Sequence, residues 1–348
     1  MPSILIDLSI LRHPFCGLGQ LAIGYGNYYA QNPDFFTDEV TPTLLVPKAW
    51  VGKFGNRVNY LVCHDIYRFC PWLMPHYDVW HSIHQLSPFR PASRNTRRVL
   101  TIHDVNFVYE KQGRKRQKYI RRLQHEVDAS DEICFISNFS RDDALRFIDL
   151  KGKQPKVVYS GAESIVGAKQ SRPARLPDDG RPFLLSLGVL KPKKNTHTLI
   201  PMMEHVEGYR LVIAGAGGDD YAEGLRAAAA KSTAPIYMAG AVSDEERNWL
   251  MAHCSGFLFP SLFEGFGRPV IEAMQWGKPV FCSTCTSIPE FGAEHAFYFP
   301  DFTPEGMAET VKKGLATFDK DCQAREIAYA DSFSYDRHMS NYLRIYKG

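Results

Sequence analysis

Short apolar runs recur along this chain in two series, with helical patterns between most of them. The first series is Ile4–Leu8, Thr43–Val46, Asn59–Cys63, Val79–His81, Val99–Ile102, Glu132–Ile136 and Lys156–Val158. A polar, proline-bearing stretch follows, "GAKQSRPARLPDDGRP". The second series is Phe183–Leu187, Arg210–Ala214, Ile236–Met238, Gly256–Phe259 and Pro279–Cys282. Helical patterns cover Ser140–Phe147, Gly224–Lys231, Asp244–His253 and Val270–Trp276. Strands that alternate with helices of this size pair in parallel through right-handed crossovers. Two such series predict two doubly wound α/β domains facing one another: residues 1–165, a linker at 166–182, and residues 183–330.

Composition narrows the class. The chain has 348 residues, 45% of them hydrophobic and 13% aromatic, enough for two large cores. No apolar stretch nears the roughly 20 residues that span a bilayer. The N-terminal "MPSILIDLSI" lacks a basic n-region and carries an acid inside its apolar run, so it reads as a strand rather than a signal peptide. A cytoplasmic chain is the expectation. Eight cysteines are scattered, and Cys282 and Cys285 alone form a C-x-x-C pair. A zinc site would need a second pair or nearby histidines, so these read as small reduced side chains near a strand end.

Charge is uneven. Residues 1–170 hold 22 Lys and Arg against 16 Asp and Glu, a net of +6, and the remainder is net −3. The excess centres on residues 111–125, "KQGRKRQKYIRRLQH", with seven Lys and Arg. Such a run fits a solvated helix face, nucleic acid or an anionic membrane. Tyr119 is its single aromatic residue, which disfavours base stacking, so no nucleic acid is expected.

In doubly wound folds ligands lie beyond the carboxyl ends of the strands. "CGLGQLAIGYG" puts Gly17 and Gly19 after the first strand, where backbone N–H groups at a helix start can approach a phosphate. "LTIHDVNF" places His103 and Asp104 past another strand. "LSLGVLKPKKNTHTLI" brings Lys191, Lys193 and Lys194 after a strand and a glycine. "VIAGAGGDD" looks like a dinucleotide turn, but Asp220 stands where its last glycine belongs, which argues against a nicotinamide cofactor. "FPSLFEGFGRPVIEAM" sets Glu264, Gly265, Phe266 and Gly267 between a strand and a helix that opens near Pro269 and carries Glu272.

"EGFGRPVIE" resembles the E-x7-E signature of glycosyltransferase family 4, retaining enzymes of the GT-B fold. "GLGQ", "TIHD", "FISNFSRDDALRF", "GVLKPKKN", "AGAVSDEERNWLMAHCSGFLFPS", "TSIPE" and "FSYDRHMSNYLRIY" resemble its other segments in order. The resemblance is weakest over residues 27–98, where such enzymes recognise acceptors. It implies two Rossmann-like domains about a central cleft, with residues 331–348 returning as a helix to the first. It also implies roles. Glu264 would hold sugar hydroxyls and Glu272 the ribose hydroxyls, while Gly265, Phe266 and Gly267 would offer N–H groups near the donor sugar. Lys194 would contact the diphosphate, Gly17 and Gly19 would close over it, and His103 would lie near the transferred sugar.

The expected substrates are a nucleotide-sugar donor and a glycan or lipid-linked saccharide acceptor, with no cofactor and no metal. Likeness to mannosyl- and glucosyltransferases of bacterial surface polysaccharides favours GDP-mannose over a UDP-sugar. Val189 stands where the family often has an arginine, leaving Lys193 or Arg268 to replace it. The one D-x-D string, Asp319-Lys320-Asp321, is expected late in a helix, away from any glycine loop. Rival readings are a sugar-nucleotide epimerase, which the E-x7-E signature opposes, and a non-catalytic protein whose basic helix binds nucleic acid or membrane.

Overall fold

The computed structural model describes residues 2–14, 16–32 and 42–348, which divide into two compact units, Met1–Gly161 with Tyr335–Gly348, and Ala162–Ser334. The first holds β1 (Ile4–Asp7), β2 (Thr43–Val46), β3 (Asn59–Val62), β4 (Val79–Ser82), β5 (Arg97–Ile102), β6 (Glu132–Phe135) and β7 (Pro155–Val157). They form one parallel sheet in the order β3-β2-β1-β4-β5-β6-β7. The second holds β8 (Phe183–Leu187), β9 (Arg210–Ala214), β10 (Ile236–Gly240), β11 (Gly256–Phe259), β12 (Val280–Cys282) and β13 (Phe297–Tyr298). Its order is β10-β9-β8-β11-β12-β13, again parallel. Each sheet reverses its winding once, between β1 and β4 and between β8 and β11, and that reversal opens a crevice for ligands.

Every strand expected from sequence is present, with ends shifted by up to two residues. β13 was not foreseen, because two residues leave no periodicity to read.

The helices are α1 (Gly17–Gln31), α2 (Phe107–Glu110), α3 (Gly113–Asp128), α4 (Asn138–Ala144), α5 (Leu199–Met202), α6 (Asp220–Lys231), α7 (Asp244–His253), α8 (Arg268–Gln275), α9 (Ile288–Gly292), α10 (Pro304–Thr317), α11 (Lys320–Asp331) and α12 (Tyr335–Lys347). Capping decides several starts. α4 begins two residues before its expected start because Ser137 and Ser140 form a reciprocal capping box. α7 starts as expected, on the Ser243–Glu246 box.

Residues 166–182, expected as a linker, are packed against the second unit. Leu176 is buried there, and Ser171 N–H donates to the Glu245 carbonyl at 3.1 Å. The Arg172 guanidinium lies 5.7 Å from the Trp249 ring centroid, and Arg210 holds Asp179 through two bonds of 2.8 and 3.1 Å. The chain passes between units at 161/162 and again at 334/335.

Within the first unit α12 lies against α1 through rings. Tyr335 stacks on Tyr28 at 6.2 Å and meets Tyr25 edge-on at 6.4 Å. A Cβ at Gly24 would sit 1.9 Å from the Tyr335 hydroxyl, so glycine at this α1 position permits the close approach. Histidines lie among these rings. His81 bonds Tyr346 Oη at 2.7 Å and Thr101 Oγ1 at 2.8 Å, and His338 bonds the Tyr159 carbonyl at 2.7 Å and Tyr25 Oη at 2.8 Å.

Burial disfavours the charged imidazolium, lowering His81 well below its ordinary value and His84, His103 and His338 to about 4. Above the unfolded value of about 6.5 these groups are neutral in both states. Below it the unfolded chain binds protons that the folded chain refuses, so stability is lost as pH falls from about 6.5 toward 4. The urea midpoint of the first unit is therefore expected to drop steeply between pH 7 and 5; an unchanged midpoint would contradict the buried-neutral assignment.

Candidate functional site

The C-terminal ends of β8 and β11 meet at the reversal in the second sheet, where Gly188, Lys194, Thr196, Phe259 and Ser261 line a small cleft. Two strand-end loops cross beside it. Gly188 and Gly215 have φ of 148° and 154°, and a Cβ on Gly215 would lie 1.8 Å from the Gly188 carbonyl oxygen. Gly215 of "VIAGAGGDD" thus serves a close backbone crossing with Gly188. Its first acid, Asp219, caps α6 and pairs with Lys191 Nζ at 2.5 Å.

After β8 the chain makes a 3-10 turn at Pro192–Lys194, ended by Asn195 in the left-handed region at φ 54°. This turn directs Lys194 inward. Its Nζ lies 2.5 Å from Glu264 Oε1 and 5.2 Å from the Phe259 ring centroid, with both charged side chains less than one-fifth exposed (19% and 15%). Lys193 is half-buried, and its side chain makes no ion pair among the described residues.

The loop that carries Glu264 is held from behind by the segment after β12. Glu264 N–H donates to Thr286 Oγ1 at 3.0 Å, and Ser287 Oγ donates to the Glu264 carbonyl at 2.9 Å. Ser283 Oγ ties the Ser261 carbonyl at the loop's other end. Phe266 buries its ring against Phe291, 4.2 Å between centroids. Its backbone is thereby placed beside Gly265 and Gly267.

Gly267, at φ 94°, is the N-cap of α8, which starts at Arg268, two residues before the expected Val270. No side chain caps this end. Pro269 brings no N–H and Val270 N–H is held by the Gly267 carbonyl at 2.9 Å, so what this end offers an anion is chiefly the positive end of the helix dipole.

One turn into α8, the buried carboxylate of Glu272 is shared by two arginines. Arg247, from α7, meets Oε2, and Arg268 Nε lies 3.3 Å from Oε1. Burial works against the Arg247 charge, but Glu272 and Asp244 more than offset it and raise its pKa. Arg247 and the 283–287 clamp were missed in sequence, because their positions follow from packing between elements. Lys194 with Glu264, and Arg268 with Glu272, are pairs that sequence named singly and the structure joins.

In the first unit, Gly17 and Gly19 lie in the opening turn of α1. Gly19 departs from its expected role. Its N–H is capped by Cys16 Sγ at 3.4 Å, and a Cβ there would sit 2.4 Å from the His13 carbonyl oxygen. It is a close-packing glycine, whereas Gly17 is exposed. His103 is buried past β5, with Nε2 2.7 Å from the Ile83 carbonyl oxygen. A carbonyl accepts, so a proton sits on Nε2, and burial, which lowers the ring's pKa to about 4, keeps it a neutral imidazole at pH 7.

Residues 168–330, which contain Lys194, Arg247, Glu264, Arg268 and Glu272, match the family model described as glycosyl transferases group 1. This chain is a glycosyltransferase. It is 27% identical over 282 residues to the O-antigen chain mannosyltransferase B of Escherichia coli, covering 73% of this chain and 71% of that protein. It is 28% identical over 242 residues to the Escherichia coli serotype-specific mannosyltransferase WbdA, across 63% of this chain but only 29% of that longer protein.

Its GT-B fold is shared with Anabaena Alr3699/HepE in complex with UDP-glucose, at TM-score 0.74, 17% identity and full coverage of both chains. It is shared too with the sucrose-phosphate synthase of Thermosynechococcus elongatus, at TM-score 0.73 and 16% identity, covering 100% of this chain and 98% of that one. Gly17, Gly19 and His103 lie outside the matched family region.

Among the described residues of the glycosyltransferase no three His, Cys, Asp or Glu side chains cluster as metal ligands. The Asp319-Lys320-Asp321 string opens α11 instead of ending a helix. Asp319 is its N-cap, accepting from Cys322 N–H at 2.8 Å. No helix is long and apolar enough to cross a membrane among the described residues.

Proposed function

We propose that this glycosyltransferase moves a hexose, with retention, from a nucleotide-diphosphate sugar to a glycan or lipid-linked saccharide of a surface polysaccharide, with GDP-mannose as preferred donor. The observation that carries the site is the Lys194–Glu264 pair at the β8/β11 reversal, in the same unit as the uncapped start of α8. An ammonium and the positive end of the α8 dipole stabilise the departing diphosphate. Carboxylates accept from neutral hydroxyls, so Glu264 grips the sugar and Glu272 the ribose. Gly265, Phe266 and Gly267 supply backbone N–H groups to the donor sugar. Gly17 and neutral His103, both in the first unit, keep the roles that the family resemblance gives them, toward the phosphate and the transferred sugar.

Arg268, rather than Lys193, replaces the arginine absent at Val189. Its contact to Glu272 is the longer of two, so it can turn to phosphate while Arg247 keeps the carboxylate paired. The reading has no nucleophile and acid/base couple of carboxylates, so the leaving phosphate itself takes the acceptor's proton on the same face. The mannose preference rests on the mannosyltransferases it resembles.

The test is thermal stabilisation and turnover over GDP-, UDP- and ADP-sugars with EDTA present. GDP-mannose is expected to raise the Tm and be consumed, with both responses lost in Glu272→Ala. A response to UDP-sugars alone would move the donor assignment, and silence across the panel would overturn the reading.

A further inference from the structure

The first unit carries an apolar patch that its own core does not use. Ile66, Phe69, Trp72 and Leu73 are 50%, 76%, 68% and 55% exposed within eight residues, on two 3-10 turns, Asp65–Arg68 and Pro71–Leu73, with Phe69 capping the end of the first. Ile66 and Phe69 are three apart, the spacing that a 3-10 turn brings to one side. This stretch follows β3, at the carboxyl edge of the sheet where doubly wound domains take ligands.

Cations border it. Arg12 and Arg68 share one carboxylate, Asp65, at 2.8 and 3.1 Å, and lie 5.6 and 5.5 Å from the centroid of Phe89. A cavity of 440 Å³ then joins Phe89 and exposed Arg90 to Arg122 and His125 of α3. From there α3 presents Arg114, Lys115, Lys118 and Arg121 to solvent. The surface thus runs from exposed hydrocarbon and rings into a net positive strip.

We infer that this face docks on an anionic bilayer, with Phe69 and Trp72 entering the interface and Arg68, Arg90 and Arg122 meeting lipid phosphates. Aromatic rings between water and hydrocarbon, flanked by basic side chains, are the chemistry of an interfacial anchor. Aliphatic Ile66 and Leu73 beside the rings match acyl chains better than saccharide hydroxyls. The basic helix then acts as one part of a larger surface, its charge aligned with an apolar wedge that sequence did not reveal. An edge that takes a lipid-linked acceptor is thereby held where that acceptor resides.

The experiment is co-sedimentation of the full chain with vesicles of mixed phosphatidylglycerol and phosphatidylcholine, and of phosphatidylcholine alone. Binding to the anionic vesicles, weakened by salt, is expected. Phe69→Ser with Trp72→Ser should lower partitioning at least about tenfold, and Arg90→Gln about fivefold, with circular dichroism unchanged. Equal binding to neutral vesicles, or wild-type binding by the serine variant, would overturn the inference. So would a concentration-dependent dimer dissolved by the same substitutions, which would make a second copy the occupant. No nucleotide sugar enters this assay, so its failure leaves the donor reading untouched, and the donor panel can fail without affecting it.

Discussion

Lys194→Ala will lower turnover of the donor by about 10²–10³-fold, the usual cost of removing one group aimed at developing charge. Lys194 is the cation that the β8 turn directs inward, 2.5 Å from Glu264. Its loss removes stabilisation of the leaving diphosphate and leaves a mostly buried carboxylate unpaired. The second effect costs roughly 1–3 kcal/mol of stability, so melting should be followed alongside kinetics. Glu264→Gln in the same background restores neutrality and should recover stability without recovering turnover. Lys193→Ala is the control, expected within about tenfold of the wild type in kcat, since one tenfold step is about 1.4 kcal/mol. A silent Lys194→Ala beside an inactive Lys193→Ala would exchange the two assignments.

The two arginines on Glu272 should separate stability from donor affinity. Arg247→Leu strands a buried carboxylate with a single, longer contact, and breaking such a pair costs about 3–5 kcal/mol. For a unit of this size that is on the order of 10 °C in the melting of residues 162–334. It also binds Arg268 to Glu272 permanently, so the donor KM should rise. Arg268→Ala touches a partly exposed pair and should cost at most about 1 kcal/mol in stability. Yet it should raise the donor KM by about an order of magnitude, consistent with a charged hydrogen bond worth roughly 1.5–3 kcal/mol. Differential scanning calorimetry and initial rates on the two variants decide the matter. Wild-type donor KM in Arg268→Ala would reject the exchange of Arg268 from carboxylate to phosphate.

Much of the architecture was legible because it rests on local rules. Apolar runs three to five residues long that alternate with helices close as parallel sheets through right-handed crossovers. Ser243 and Glu246 announce a helix start within four residues of chain. The boundary residues were less legible. The proline-bearing stretch 166–182 has the composition of a linker, yet Arg172 on Trp249 and Arg210 on Asp179 bind it to the second unit. Composition reports how a segment would behave alone, and these contacts come from residues 31 to 77 positions further on.

The sites divide in the same way. Order along the chain put Lys194, Glu264 and Glu272 in loops and a helix start past strand ends, and the family resemblance singled out Arg268 and gave each its expected role. That Lys194 neutralises Glu264, that Arg247 from α7 holds Glu272, and that Thr286 and Ser287 anchor the loop were decided only by the tertiary structure. Electrostatic pairing falls off over a few ångströms, and which side chains come that close is set by sheet order and helix packing. Gly19 shows the converse: its sequence context promised a free N–H, and the packing of His13 and Cys16 made it a spacer.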